Sequence, residues 1–211
     1  MDGDARDAAW ARATPLALRS FWPNRNTSER TEVRVLHSSI RLFVLFVCED
    51  VEIVATRTAR DDHTFRDDCV EVFLAAPLPG PLSEGLNIEV SATGAWADVL
   101  YRKPNWLNYD WNPPGLNAVV KRTLTGWTVE LALPFADIAA VAAVHGYADL
   151  LDASRMDFRN TAESLARPLR LRANFARWHR PENVLTVWSD PRRPTPHALE
   201  LDRYGWLVFD R

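Results

Sequence analysis

Along most of this chain apolar residues come either in unbroken runs of strand length or in alternation with polar ones, and rarely at helical spacing. Val33 and Val35 alternate with Arg34, and residues 40–48 are apolar after Arg41, as expected of a central strand covered on both faces. Glu49 and Asp50 end that run. Residues 51–56 read as a next strand, and an acidic loop around Asp61 and Asp62 leads to another at 69–75, closed by Pro77, Pro79, Gly80 and Pro81. Residues 86–92 alternate, with Leu86, Ile88 and Val90 on one side and Asn87, Glu89 and Ser91 on the other, so one face is wet or meets a ligand.

A turn at Thr93-Gly94 leads into a strand at 96–101, and residues 102–115, rich in Pro, Asn and aromatics, read as a long ordered loop. Residues 116–124 and 126–133 form a hairpin around Thr125-Gly126. Pro134 opens the best helix candidate, 135–144, and residues 149–155 offer a shorter one. Strands resume at 169–178, 184–188 and 206–209, while residues 5–13 read as a short helix or a loop anchored by Trp10. Many short strands with one or two short helices in the connections argue for an all-β fold, an antiparallel β-sandwich. A length of 211 residues suits one domain, 1–211.

Charge narrows the partners. A net charge of -3 and no basic stripe give no electrostatic reason to bind nucleic acid, and no apolar run reaches membrane-spanning length. The start, Met1-Asp2-Gly3-Asp4, lacks the basic and apolar regions of a signal peptide. The five histidines form no zinc-binding pattern. Asp61, Asp62, Asp67 and Asp68 lack the spacing and glycine of an EF-hand loop, so no cofactor is expected, Ca²⁺ being the one ion this loop admits. Cys48 and Cys69 lie in apolar runs that are candidates for neighbouring strands, and free thiols are favoured over a disulfide.

Two glutamates stand out. Glu71 sits in Cys69-Val70-Glu71-Val72-Phe73-Leu74 and Glu130 in Gly126-Trp127-Thr128-Val129-Glu130-Leu131, both runs that otherwise read as buried strand. A carboxylate there must be paired, hydrogen-bonded or facing a ligand. For Glu71 the choice lies between an internal ion pair with Arg177 or Arg172 and a place in a binding pocket; Glu130 reads as structural. Nine tryptophans, with Trp96, Trp106 and Trp111 close to Tyr101 and Tyr109, offer flat apolar faces carrying single donors, which suit the CH faces of sugars.

In order along the chain, these features resemble the family 9 carbohydrate-binding modules and family 9-like proteins. Asp2-Gly3 with Trp10 is similar to the family's opening, and Thr31 to Leu36 followed by Leu42-Phe43-Val44 to its first long hairpin. Asp68-Cys69-Val70-Glu71-Val72-Phe73 resembles its acidic strand and Gly126-Trp127-Thr128-Val129-Glu130 its GW strand. Asn174-Phe175-Ala176-Arg177, Trp188-Ser189, His197 and Tyr204 to Phe209 resemble its ending. The resemblance implies a β-sandwich that binds a mono- or oligosaccharide without cleaving it, in support of a polysaccharide-degrading enzyme and in a secreted or periplasmic setting. A cytoplasmic location stays open.

By that resemblance Phe65 takes the first clamp aromatic, Glu71 the hydroxyl-binding carboxylate and His197 a place at the pocket rim. Asn174 and Arg177 complete the set. The pattern departs at Pro196-His197-Ala198-Leu199, where no second clamp aromatic stands, and at Glu89, where some binders use arginine. Trp106, Trp111 or Trp178 is then left to supply the missing wall. Three rivals remain: a glycosidase using Glu71 with Glu130 or Glu89, a haem-binding sandwich relying on Met156, and a scaffold without a ligand.

Overall fold

The computed structural model describes residues 1–75, 84–102, 106–138, 169–194 and 200–209. Two antiparallel sheets are stacked as a sandwich. The first has the order β1 (Leu16–Ala17), β3 (Thr31–His37), β4 (Arg41–Glu49), β10 (Gly126–Pro134), β9 (Asn117–Thr123). The second runs β2 (Arg19–Ser20), β12 (Val184–Val187), β11 (Leu169–His179), β5 (Cys69–Ala75), β6 (Glu84–Ser91), β7 (Trp96–Arg102), β8 (Trp106–Asn108), with β13 (Gly205–Phe209) also on β11. The core between them joins Val44, Phe46, Trp127, Val129 and Leu131 of the first sheet to Val70, Val72, Ile88 and Phe175 of the second.

The expected hairpin is present, with Gly126 pairing Thr123 at its turn. Gly126 has φ +150°, and a side chain there would collide with the Cys48 carbonyl, so glycine alone fits. The expected helix is helical over residues 135–138, and the rest of it, like residues 149–155, lies outside the described residues.

Residues 51–56 are not a strand. Their amides bond carboxylates instead of a neighbouring strand: Val54 N–H donates to Asp68 Oδ2 at 2.7 Å, Thr56 N–H to Asp67 Oδ2 at 2.9 Å and Arg57 N–H to the same oxygen at 2.8 Å. Cys48 and Cys69 are both free and buried, one in each sheet. Burial lifts the Cys48 thiol to about 12, so it remains protonated at neutral pH.

Arg177, expected beside Glu71, lies on the opposite face of its sheet. Ala176 is the residue in register with Glu71, and side chains alternate faces along β11, so Arg177 points into the sandwich. There it joins the two sheets. Its Nη2 donates to Asp50 Oδ2 at 2.9 Å, and its Nη1 donates to Thr31 Oγ1 at 3.1 Å and the Glu49 carbonyl at 2.8 Å. Trp127 Nε1 gives Asp50 Oδ2 a further bond at 3.1 Å, and His179 Nε2 stands 3.7 Å from Asp50 Oδ1. Burial opposes ionisation of Asp50, but the neighbouring His179, Arg177 and Trp127 outweigh it and hold its carboxyl below the usual range.

Removing one partner of a pair as buried as Arg177–Asp50 strands the other charge. Arg177→Met should therefore cost about 3–5 kcal/mol in urea unfolding at neutral pH. Arg177→Met combined with Asp50→Asn should recover a large part of that loss. Equal losses in the single and double variants would show that the ion pair is not what holds the sheets here.

Candidate functional site

On the outer face of the second sheet, away from the sandwich core, a cavity of about 610 Å³ opens over β5, β6 and β7. Its floor is made by alternation: Glu71 and Phe73 from β5, Asn87 and Glu89 from β6, Ala97, Val99 and Tyr101 from β7. These are the positions whose neighbours Val70, Val72, Ile88 and Leu100 fill the core. Tyr101 can lie on the sheet because its partner in register is Gly85, where any side chain would meet the tyrosine hydroxyl and the Leu74 carbonyl. Trp178 and Leu185 border one side, Leu107 and Tyr109 another, and the loop bearing Asp61, Asp62, His63 and Phe65 a third.

That loop is fixed by the two aspartates that end it. Asp67 and Asp68 are buried, and besides the amides of residues 54, 56 and 57 they accept bonds from Ser91 Oγ at 3.0 Å and Arg180 N–H at 2.8 Å. With the loop held from below, the single turn Thr64–Arg66 presents Phe65, 40% exposed, at the cavity and turns the buried Thr64 inward, where its hydroxyl donates to Glu89 Oε2 at 2.7 Å. Asp61 and Asp62 line the cavity while Asp67 and Asp68 serve the loop, so the four acidic residues divide into two pairs. A separate buried group of three, Asp50, Asp68 and His179, lies close enough to share an ion, but Asp50 Oδ2 is already taken by the Arg177 guanidinium.

Glu71 and Glu89 face each other directly across β5 and β6. Asn87 Nδ2 donates to Glu71 Oε2 and to Glu89 Oε1, both at 3.2 Å, and Trp178 adds a bond to Glu71. Among the described residues neither glutamate forms an ion pair. Burial, then the charge of Glu89, lifts the Glu71 carboxyl well above its ordinary range, although Asn87, the Arg180 charge and Trp178 oppose the shift. Burial also lifts Glu89, against bonds from Thr64, the Phe65 backbone and Asn87. Two like charges side by side with so little solvent resist full ionisation, and the pair titrates as a unit.

Of the residues expected at a site, Phe65, Glu71 and Glu89 meet in this cavity, with Trp178 beside them. Trp111 is instead packed in the core, and Asn174 is wholly buried, donating to the Ser189 carbonyl at 2.9 Å and accepting from Ser189 N–H at 2.8 Å. Trp106 is exposed on β8 with Arg102 over its ring, and Leu107 and Tyr109 line the cavity from that stretch. His197 and Met156 lie outside the described residues. Glu130 is on the first sheet, accepting from the Asp2 and Gly3 amides at 2.9 and 3.1 Å, which removes it as a partner for Glu71. Asn87 and Thr64 were not singled out in the sequence; the alternation of β6 marked the face on which Asn87 lies, but no local signal pointed to Thr64.

A second cleft, of about 680 Å³, lies beside β1, β2 and β3 and has no aromatic residue in its lining. A sugar ring would find no flat apolar face there.

The sequence matches the family described as carbohydrate family 9 binding domain-like over residues 1–193. Two solved structures similar to it are a carbohydrate-binding module family 9 from Caldicellulosiruptor kristjanssonii in complex with glucose and one in complex with cellotriose. The first has a TM-score of 0.66 at 13% identity, covering 100% of this chain and 90% of that one. The second has a TM-score of 0.65 at 14% identity, covering 99% and 88%. A Bacteroides uniformis protein, provisionally described as carbohydrate-binding, has a TM-score of 0.72 at 14% identity and covers 100% and 93%. No curated protein matches.

The raised carboxyl of Glu71 carries a stability signature. A folded state that holds a proton more tightly than the unfolded chain loses stability as pH rises from about 4.5 through the higher folded value. Glu71→Gln should remove that loss, so its stability advantage over the natural chain should grow with pH by up to about 1.4 kcal/mol per unit across that window. Urea unfolding at a series of pH values measures it, and a pH-independent difference would mean that the carboxyl is not perturbed.

Proposed function

We propose that this chain, which belongs to the carbohydrate family 9 binding domain-like proteins, seats a sugar in the cavity over β5, β6 and β7 and binds it without cleaving it. The observation that carries the reading is the meeting, in one cavity, of three neighbouring polar side chains, Glu71, Asn87 and Glu89, with the exposed ring of Phe65. Carboxyl and amide oxygens accept from sugar hydroxyls, and the ring covers a CH face. A volume of about 610 Å³ is ample for a monosaccharide or a chain end. In the second wall position Trp178 and Tyr109 take over from the missing aromatic near His197, since both border the cavity. A role beside a polysaccharide-degrading enzyme fits the family and belongs to the same proposal.

Two carboxyls in one cavity also raise the glycosidase reading. Glu71 and Glu89, however, lie on the same floor, directly opposite each other in register. That favours joint recognition of one ring edge over acid and base attack from two directions.

Calorimetric titration with glucose and cellotriose, the ligands of the two similar structures, tests the proposal. Phe65→Ala should weaken binding at least about tenfold, as expected for loss of one buried aromatic contact, and Glu71→Ala should abolish it. Binding indifferent to both changes would place the sugar elsewhere. Turnover of chromogenic glycosides that disappears in Glu71→Gln would replace binding by catalysis.

A further inference from the structure

The floor of the cavity is short of donors. Asn87 is 6% exposed, its Nδ2 is shared between Glu71 and Glu89, and its Oδ1 is buried with no partner. Beside it stand two carboxyls that form no ion pair among the described residues, although the Arg180 charge acts on both. At the rim, Asp62 is paired with Arg57 and Asp61 with Arg60. On the other side Arg180 stands over the Trp178 ring, 4.0 Å from its centroid, and donates to Asn183. His63 at the rim, Tyr109 and the Tyr101 hydroxyl, bonded to Tyr204, are the other titratable groups facing in among the described residues. Among the described residues no lysine or arginine lines the cavity.

A neutral sugar presents each hydroxyl as both donor and acceptor, and this floor uses mainly the donors. A protonated amine brings three donors, one charge and no acceptor. A bare metal ion would leave most of the space and the Phe65 ring unused.

We infer that the cavity is selective for a sugar carrying a free ammonium group, held between Glu71 and Glu89 with Asn87 Oδ1 as the third acceptor and the ring against Phe65. The inference rests on the sugar-binding reading above and specifies its ligand. In the empty cavity burial and mutual repulsion hold both carboxyls up, so the pair keeps its proton to higher pH than a free glutamate does. When the ammonium enters, the carboxyl O–H bond breaks, the proton passes to solvent and N–H···O bonds take its place; no covalent bond forms between sugar and protein.

Titration calorimetry of the full chain with glucosamine, N-acetylglucosamine, glucose and cyclohexylamine tests this. Glucosamine should bind at least about tenfold tighter than glucose, as a buried charge pair allows, and acetylation of the amine should erase the difference. Glucosamine binding should release protons, read from buffers of different ionisation enthalpy, and should tighten as pH rises from about 4.5 through the raised value of the pair while glucose binding does not. Glu89→Gln should bring glucosamine down to the affinity of glucose; if that variant fails to fold, the acetylated sugar decides alone. Glucose binding as tightly as glucosamine, or a preference that survives acetylation, would overturn the inference and leave the sugar site standing. Equal binding of cyclohexylamine would overturn it in favour of a general amine site. Failure of every sugar to bind would instead remove the reading on which it rests.

Discussion

Successive residues of a strand face opposite sides of their sheet, and on β11 that constraint separates what holds this protein together from the cavity proposed to bind a sugar. Arg177 points inward, to Asp50, Thr31 and Glu49, and ties one sheet to the other. Trp178, the next residue, points outward and borders the cavity. The same parity on β5 and β6 sends Val70, Val72 and Ile88 to the core and Glu71, Asn87 and Glu89 to the cavity floor. A shift of register by one residue would bury the polar set in the core and open the cavity onto valines.

The two glutamates of the buried-looking strands show how differently one side chain is used. Glu130 receives two backbone amides from the chain's opening residues, and the Thr128 hydroxyl donates to the Gly3 carbonyl at 2.6 Å beside it, so that carboxylate fastens the N-terminal segment to the first sheet. Glu71 receives only side-chain donors and faces a like charge. Such a placement lowers stability as pH rises. A destabilising carboxyl at the floor of a cavity supports the sugar site proposed above.

Much of the architecture was legible from hydrophobic pattern and turn chemistry: the β9–β10 hairpin follows from Thr125-Gly126, the doubly buried β5 from a nearly unbroken apolar run and the half-polar β6 from alternation. Residues 51–56 misled because Val51, Ile53 and Val54 look like a strand while the amides of Val54 and Thr56 are claimed by Asp68 and Asp67, more than ten residues further on. Arg177 misled for a related reason. Its type fits a partner for Glu71, and only the register between β5 and β11, a long-range property, shows it on the other face. Phe65, Glu71 and Glu89 could be identified because each lies within a motif or an alternating run, whereas Thr64, Tyr109 and the sharing of Asn87 depend on how the loops close over the sheet.

The central claim is that this outer-face cavity, and not the cleft beside β1, is where a sugar sits. Amide and indole N–H chemical shifts recorded while glucose is added test it most directly. The account predicts that the Trp178 indole and the Asn87 side-chain amide move together and saturate at one concentration, with the Trp127 indole in the core unmoved. Shifts confined to the Leu16–Ala17 and Thr31–His37 strands, or saturable binding that leaves Trp178 and Asn87 unchanged, would contradict it.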